Sequence, residues 1–206
     1  MTRSLRNPFV LLILMAMLVT ACATTQVKSV WKDPAYQVRP ARIFVLGVAK
    51  NPGVRRLFED EFVMQLKARG TEAVSSYTVL PDNQLYDQPV IAAKVKELGA
   101  DTILVTRLVS KKTVQVYVPG TAYNPPAYYG TWSGYYGHGY SNMYSPGYYA
   151  EDEYAVIETN LYDTGNDKLV WAASSETLIG DSNQDLIKTY IDIMVNTMTH
   201  GKLLAK

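Results

Sequence analysis

One stretch constrains the fold of this chain more than any other. The run Arg42-Ile43-Phe44-Val45-Leu46-Gly47-Val48-Ala49 is apolar almost without interruption, with Pro40 ahead of it and Asn51-Pro52-Gly53 behind. A short continuous apolar run between turn signals suits a strand buried on both faces, and such a strand is central in its sheet. The next segment has a different period. Val54, Phe58, Phe62 and Leu66 recur every fourth residue with Leu57 beside them, while Arg55, Glu59, Asp60, Lys67 and Arg69 take the other faces. That spacing predicts a helix over 54–69, closed by Gly70 as a left-handed cap.

The same alternation of periods continues. Thr71 to Leu80 reads as a second strand, ended by Pro81-Asp82-Asn83. A second helix is expected to begin near Asp87 and Pro89, because aspartate accepts the free amide hydrogens of a first turn and proline belongs in that turn. Its core face is Ile91, Val95 and Leu98, and Gly99 stops it. Ala100 to Val109 forms a third strand, and Thr113 to Val118 alternates apolar and polar as a strand with one wet face. Glu153 to Tyr162 alternates again, with Ala155, Ile157 and Leu161 on one side. The turn Asp163 to Lys168 joins it to Leu169 through Leu178 as a hairpin. Ser182 to Asp185 has the spacing of a capping box, and Ile187, Ile191, Met194 and Met198 stripe a closing helix that ends at Gly201. The expected fold is therefore α/β (α+β), a mixed sheet of about five strands with three packed helices in the order β-α-β-α-β-β-β-α.

Composition agrees with one ordinary domain. The 206 residues are 48% hydrophobic, enough for a core without disulfide staples and too apolar for wholesale disorder. Twenty basic residues face 19 acidic ones, which argues against a nucleic-acid binder, since affinity for phosphate comes from concentrated Lys and Arg.

The N-terminus carries Arg3 and Arg6, an apolar run from Phe9 to Val19, and then Thr20, Ala21 and Cys22. The run is well short of the roughly 20 residues a helix needs to cross the hydrocarbon core, and small residues follow it, as in an export signal. Val19-Thr20-Ala21-Cys22 resembles the lipobox of bacterial lipoproteins. That resemblance implies a diacylglyceryl group on the Cys22 thiol and cleavage just before it, so that residues 1–21 are a signal peptide and Cys22 becomes the first residue. Since Cys22 is the one cysteine in the chain, acylation leaves no free thiol. Two or three acyl chains anchor durably where one does not. Ala23, in place of an aspartate, implies transfer to the outer membrane with the domain on the periplasmic face. Residues 22–40 are expected as a lipidated tether with one short edge strand near Gln26 to Trp31, and residues 41–206 as the periplasmic domain.

Two further runs carry a second resemblance. Ala92 to Arg107 (Ala-Ala-Lys-Val-Lys-Glu-Leu-Gly-Ala-Asp-Thr-Ile-Leu-Val-Thr-Arg) and Leu161 to Trp171 (Leu-Tyr-Asp-Thr-Gly-Asn-Asp-Lys-Leu-Val-Trp) are similar to the periplasmic lipoprotein domains related to the curli-secretion lipoprotein, the penicillin-binding-protein activator lipoproteins and the amino-terminal domain of the Tol-Pal translocation protein. The likeness spans residues 41–118 and 153–204. It implies action through protein contacts in the envelope, with no catalytic motif to carry over.

Between Tyr117 and Tyr154 the composition changes abruptly, with eleven of the sixteen tyrosines, six glycines, four prolines and Trp132. This insertion, at about 119–150, has neither helical nor strand periodicity and reads as a long loop or a hairpin extension of its flanking strands. Tyr128, Tyr129, Trp132, Tyr135, Tyr136, Tyr148 and Tyr149 are the candidate contact residues, for an envelope protein, peptidoglycan or the lipid headgroup layer. Aromatic rings give contact area at small entropy loss. The bland alternative is a low-complexity spacer. Nucleic acid is disfavoured because the insertion holds no Lys or Arg.

No catalytic, metal or cofactor set emerges. Only His138 and His200 are present, too few for a zinc site with Cys22 consumed by lipid. Glu59-Asp60-Glu61 cannot converge on one substrate atom if helical, because consecutive residues point apart, and the cluster is expected on a solvated face. The functional expectation is a non-catalytic, lipid-anchored binding or assembly module. Its alternatives are a structural or adhesive envelope protein and, third, a hydrolase of envelope substrates.

Overall fold

In the computed structural model, residues 25–85, 87–120, 145–180 and 182–205 are described. They form one six-stranded mixed sheet and three α-helices. The strands are β1 (Thr25–Lys32), β2 (Arg42–Val48), β3 (Glu72–Ser75), β4 (Thr102–Val118), β5 (Tyr148–Asp163) and β6 (Leu169–Leu178). The helices are α1 (Pro52–Ala68), α2 (Gln88–Glu97) and α3 (Asn183–His200). Across the sheet the order is β1-β6-β5-β4-β2-β3. β2 pairs parallel with β3 and β4, while β4, β5, β6 and β1 are antiparallel neighbours.

β2 is buried on both faces, as its apolar run demands, but it lies next to the edge strand β3 and not at the centre of the sheet. Ile43 and Val45 enter the large core with Phe62, Leu66, Leu104, Leu161, Trp171 and the inner face of α3. Phe44 points the other way, into a smaller core with Leu80, Val95 and Ala100 under α2. Alternation along a single strand thus feeds two cores, because successive side chains leave opposite faces. α1 and α3 lie together on the first face. Their contact is aromatic, with Phe58 5.0 Å from Phe62 and 5.9 Å from Tyr190 between ring centroids.

The helix ends follow their residues. Asn51 Oδ1 accepts from the amides of Gly53 and Val54, Asp87 Oδ1 from Val90, and Ser182 Oγ from Asp185. Gly70 and Gly99 take φ of +75° and +62°, the left-handed region that turns the chain out of α1 and α2.

Several boundaries differ from the sequence expectation. A sixth strand is present, because the short edge strand expected near Gln26 to Trp31 runs over Thr25–Lys32 and pairs with β6 along its length. The strand expected at 71–80 stops at Ser75, where a 3-10 turn, Ser76–Thr78, takes over. The two runs 100–109 and 113–118 are one strand, β4, with a register shift between Leu108 and Ser110. That bulge inserts one extra residue and re-aims the strand without ending it. β5 begins at Tyr148, so the last residues assigned to the insertion are ladder residues paired with Val118 and Tyr117.

Candidate functional site

The helix-covered face of the sheet opens into a groove where β2 ends. Gly47 and Val48 from β2, Thr106 and Leu108 from β4, and Ala155 and Ile157 from β5 make its floor. Val54, Arg55 and Phe58 from the first turns of α1 stand on one side, and Asn183, Leu186, Ile187 and Tyr190 from the start of α3 on the other, with Ile179 closing it. Its volume is about 210 Å³. The lining is mostly apolar, with Arg107 and Lys111 contributing cationic groups. Both cations are already paired across the ladder, Arg107 with Glu158 at 2.9 Å and Lys111 with Glu153 at 3.0 Å. The place is where an α/β sheet most readily admits a ligand, at the carboxyl ends of parallel strands beside helix N-termini.

Two polar systems hold this site rigid. On the floor, Thr106 Oγ1 and Thr159 Oγ1 are 2.8 Å apart, and Thr159 also bonds the Tyr190 hydroxyl. Tyr190 is fully buried, and burial pushes its phenol well above the ordinary tyrosine value, so it stays neutral. At the α1 wall, Glu59 is completely enclosed. Its Oε1 accepts from the Gly47 amide at 3.0 Å and the Ser76 hydroxyl at 2.6 Å, and Oε2 accepts from the Tyr77 amide at 3.0 Å. Arg55, also buried, places Nε 3.5 Å from Glu59 Oε1 and donates from its terminal nitrogen to Asp82 at 2.9 Å.

This corrects the expectation for Glu59-Asp60-Glu61 and for Arg55. Asp60 is exposed and Glu61 half-buried, but Glu59 and Arg55 are core residues. The physical reason is the single glycine in β2. A Cβ at Gly47 would lie 3.3 Å from Arg55 Cγ and 3.5 Å from Glu59 Cγ, so its absence lets α1 sit close enough for the carboxylate to take the strand's own amide. A lone glycine among bulky β2 residues was the available signal for this contact.

Of the candidate contact residues, Tyr148 and Tyr149 lie in β5 and are exposed, and the Tyr149 ring is 5.2 Å from that of Tyr117 across the ladder. Cys22, Tyr128, Tyr129, Trp132, Tyr135, Tyr136 and His138 lie outside the described residues. His200 is exposed in the last turn of α3. Among the described residues no group of three or more His, Cys, Asp or Glu could hold a metal ion, and no helix is long and apolar enough to cross a membrane.

No family model matches the chain, and none of the curated proteins compared with it matches. Among solved structures, the chain is similar to the PelC dodecamer from Paraburkholderia phytofirmans at 12% identity and a TM-score of 0.48, over 88% of this chain and 99% of that one. It is also similar to lipoprotein GNA1162 from Neisseria meningitidis at 16% identity and a TM-score of 0.43, over 78% of this chain and 99% of that one.

Proposed function

We propose that this chain is a lipid-anchored envelope protein, fixed to a membrane through Cys22, whose α/β domain is a non-catalytic binding module with the groove between α1 and α3 as its receptor site. The observation that carries the binding role is the groove itself. It is apolar, about 210 Å³ in volume and walled by residues whose polar groups are bonded to one another. A rigid apolar cavity of about 150 Å³ already admits a benzene ring. This groove suits a ring or a short stretch of acyl chain, with Arg107 and Lys111 beside it held by Glu158 and Glu153. The polar pairs around it are spent on holding the fold, which is why a binding role is favoured over turnover. The outer membrane and an envelope partner, protein or peptidoglycan, belong to the same reading and rest on Cys22 and Ala23.

A fluorescent fatty acid such as cis-parinaric acid tests the groove. Its emission should rise on mixing with the protein and fail to rise with Ala155→Phe, a variant that fills the floor. Equal emission from both proteins, with both folded by circular dichroism, would overturn the groove as receptor. The anchor has its own test. Cys22→Ser should accumulate as unprocessed precursor, and normal maturation of that variant would refute it.

A further inference from the structure

The start of β1, three residues after Cys22 in the sequence, and the longest projection of the sheet lie at the same end of the described structure. Thr25, the first residue of β1, is buried and locked to β6, its hydroxyl 3.0 Å from that of Thr177. Pairing carries that level across the sheet from Thr25 to Thr177, Ala155 and Lys111. Toward the chain start, β1 runs from this level in the direction in which β4 continues to Val118 and β5 returns from Tyr148. Beyond Tyr154 and Leu178 the β4–β5 pair has left β6 behind, so Thr113–Val118 and Tyr148–Glu153 stand as a two-stranded arm.

The lengths decide what that arm meets. Cys22 lies three residues before Thr25 and can reach at most about 11 Å from it, at ~3.6 Å per residue. From Lys111 to Val118 the arm rises about 23 Å, at ~3.3 Å per residue. Its tip therefore extends about 12 Å past the furthest point that Cys22 can occupy in that direction. Lipids on Cys22 bring the bilayer up to that residue, and with the strands directed at the bilayer the arm, as the longer projection, meets it.

We infer that the β4–β5 arm rests in the lipid headgroup layer and seats Tyr117, Tyr148 and Tyr149 there as a second membrane contact beside the anchor. This rests on the proposed anchoring of Cys22. The three rings are 57%, 58% and 70% exposed, with Val116 beside them, and among the described residues no third strand flanks the arm there. Tyrosine places an apolar ring and a polar hydroxyl across a water–lipid boundary. The arm stops at that boundary for a backbone reason. Among the described residues no further strand pairs with β4 beyond Arg107 or with β5 before Glu153, and the edge amides and carbonyls so left are ones that hydrocarbon cannot satisfy and hydrated headgroups can. Glu151, Asp152 and Glu153 also keep its base in water.

The test uses the mature lipidated full chain in vesicles of phosphatidylethanolamine and phosphatidylglycerol that contain a headgroup-nitroxide lipid. With Cys22 acylated, Tyr149→Cys supplies one free thiol for a nitrobenzoxadiazole label. Glu97→Cys is the reference, at the far end of the domain, where α2 finishes beside the start of β2. Circular dichroism matching the parent shows that both variants are folded. The label at 149 should be quenched several-fold more than the label at 97. Equal quenching at the two positions would overturn the inference. So would a label at 149 shielded from water yet unquenched, with benzophenone maleimide on the same thiol crosslinking to a protein, which would assign the arm to a protein partner or a second copy. If mass spectrometry finds Cys22 unlipidated and the protein does not float with vesicles, the anchoring reading itself has failed, and this inference falls with it.

Discussion

β4 passes through two environments that share a ladder and little else. Between Thr102 and Thr106 its side chains alternate between buried and half-buried positions, with β2 on one side, β5 on the other and helices packed on the sheet. Past the bulge it has one neighbour, β5, and its residues are exposed or half-buried on both faces. The first half is held by apolar burial and by buried polar pairs; among the described residues the second is held chiefly by cross-strand pairs, such as Lys111 with Glu153 and Tyr117 with Tyr149. Cross-strand pairs contribute roughly 0.2–1 kcal/mol each, well below the burial of a core side chain. The body can therefore tolerate change in the arm, while the arm depends on the body to align its strands.

This contrast is most exposed to test at Glu59. Glu59→Ala would leave the Ser76 hydroxyl and two amides without their acceptor and would take from buried Arg55 the one of its two carboxylate partners that is itself buried. Removing one partner of a buried pair is expected to destabilise by about 3–5 kcal/mol, read as a lower urea midpoint. An unchanged midpoint would show that this anchor of α1 contributes nothing.

A pH series separates the halves next. The phenol of Tyr36 is pushed up to about 12, by burial first and then by Asp101 and Asp163, and burial raises Tyr190 further. A folded-state value raised above the unfolded one gives stability that is present below pH ~10 and lost as pH climbs toward 12. Tyrosinate absorbance should therefore show a late step, from Tyr36 and Tyr190, coincident with loss of near-ultraviolet circular dichroism. Completion of tyrosinate formation before any loss of that signal would contradict the raised phenols of these two.

Changes in the arm should be much smaller. Tyr149→Ala removes a ring pair of about 0.5–1.5 kcal/mol at most, reduced by exposure, and should leave the urea midpoint almost unmoved while hastening amide exchange at Tyr117 and Val118. A large global loss would mean that arm and body are one cooperative unit.

Smallest of all is the charge cluster on the outer sheet face. Lys28 first, and then Lys112, hold the Glu176 carboxyl below the ordinary glutamate value. Lys28→Met should raise its titration midpoint by nuclear magnetic resonance with hardly any change in stability. The depressed value means the contribution is present at neutral pH and lost as pH falls through the folded-state midpoint.

Periodicity made most of the fold legible. β2 announced itself through an unbroken apolar run, and α1 and α3 through stripes that reach the large core at Phe62, Leu66, Ile191 and Met194. What periodicity cannot carry is information held between elements. The order β1-β6-β5-β4-β2-β3 is set by packing of distant segments, and nothing local to 100–118 says that a bulge joins two strand-like runs into one. The groove was invisible for the same reason, since its lining comes from α1, α3 and three strands. Glu59 misled because a charged residue beside two others looks solvated until a neighbouring glycine brings a backbone amide to it. The proposed anchor at Cys22 rests on a pattern of chemistry near the chain start, a signal in which burial plays no part.

A folded module held at a membrane by lipid on its first mature residue has a definite mass, and intact mass spectrometry of the protein from its native envelope reads it. The expected species is a chain beginning at Cys22 with a diacylglyceryl adduct on that residue. A water-soluble, unmodified chain cleaved at another bond would refute the anchoring.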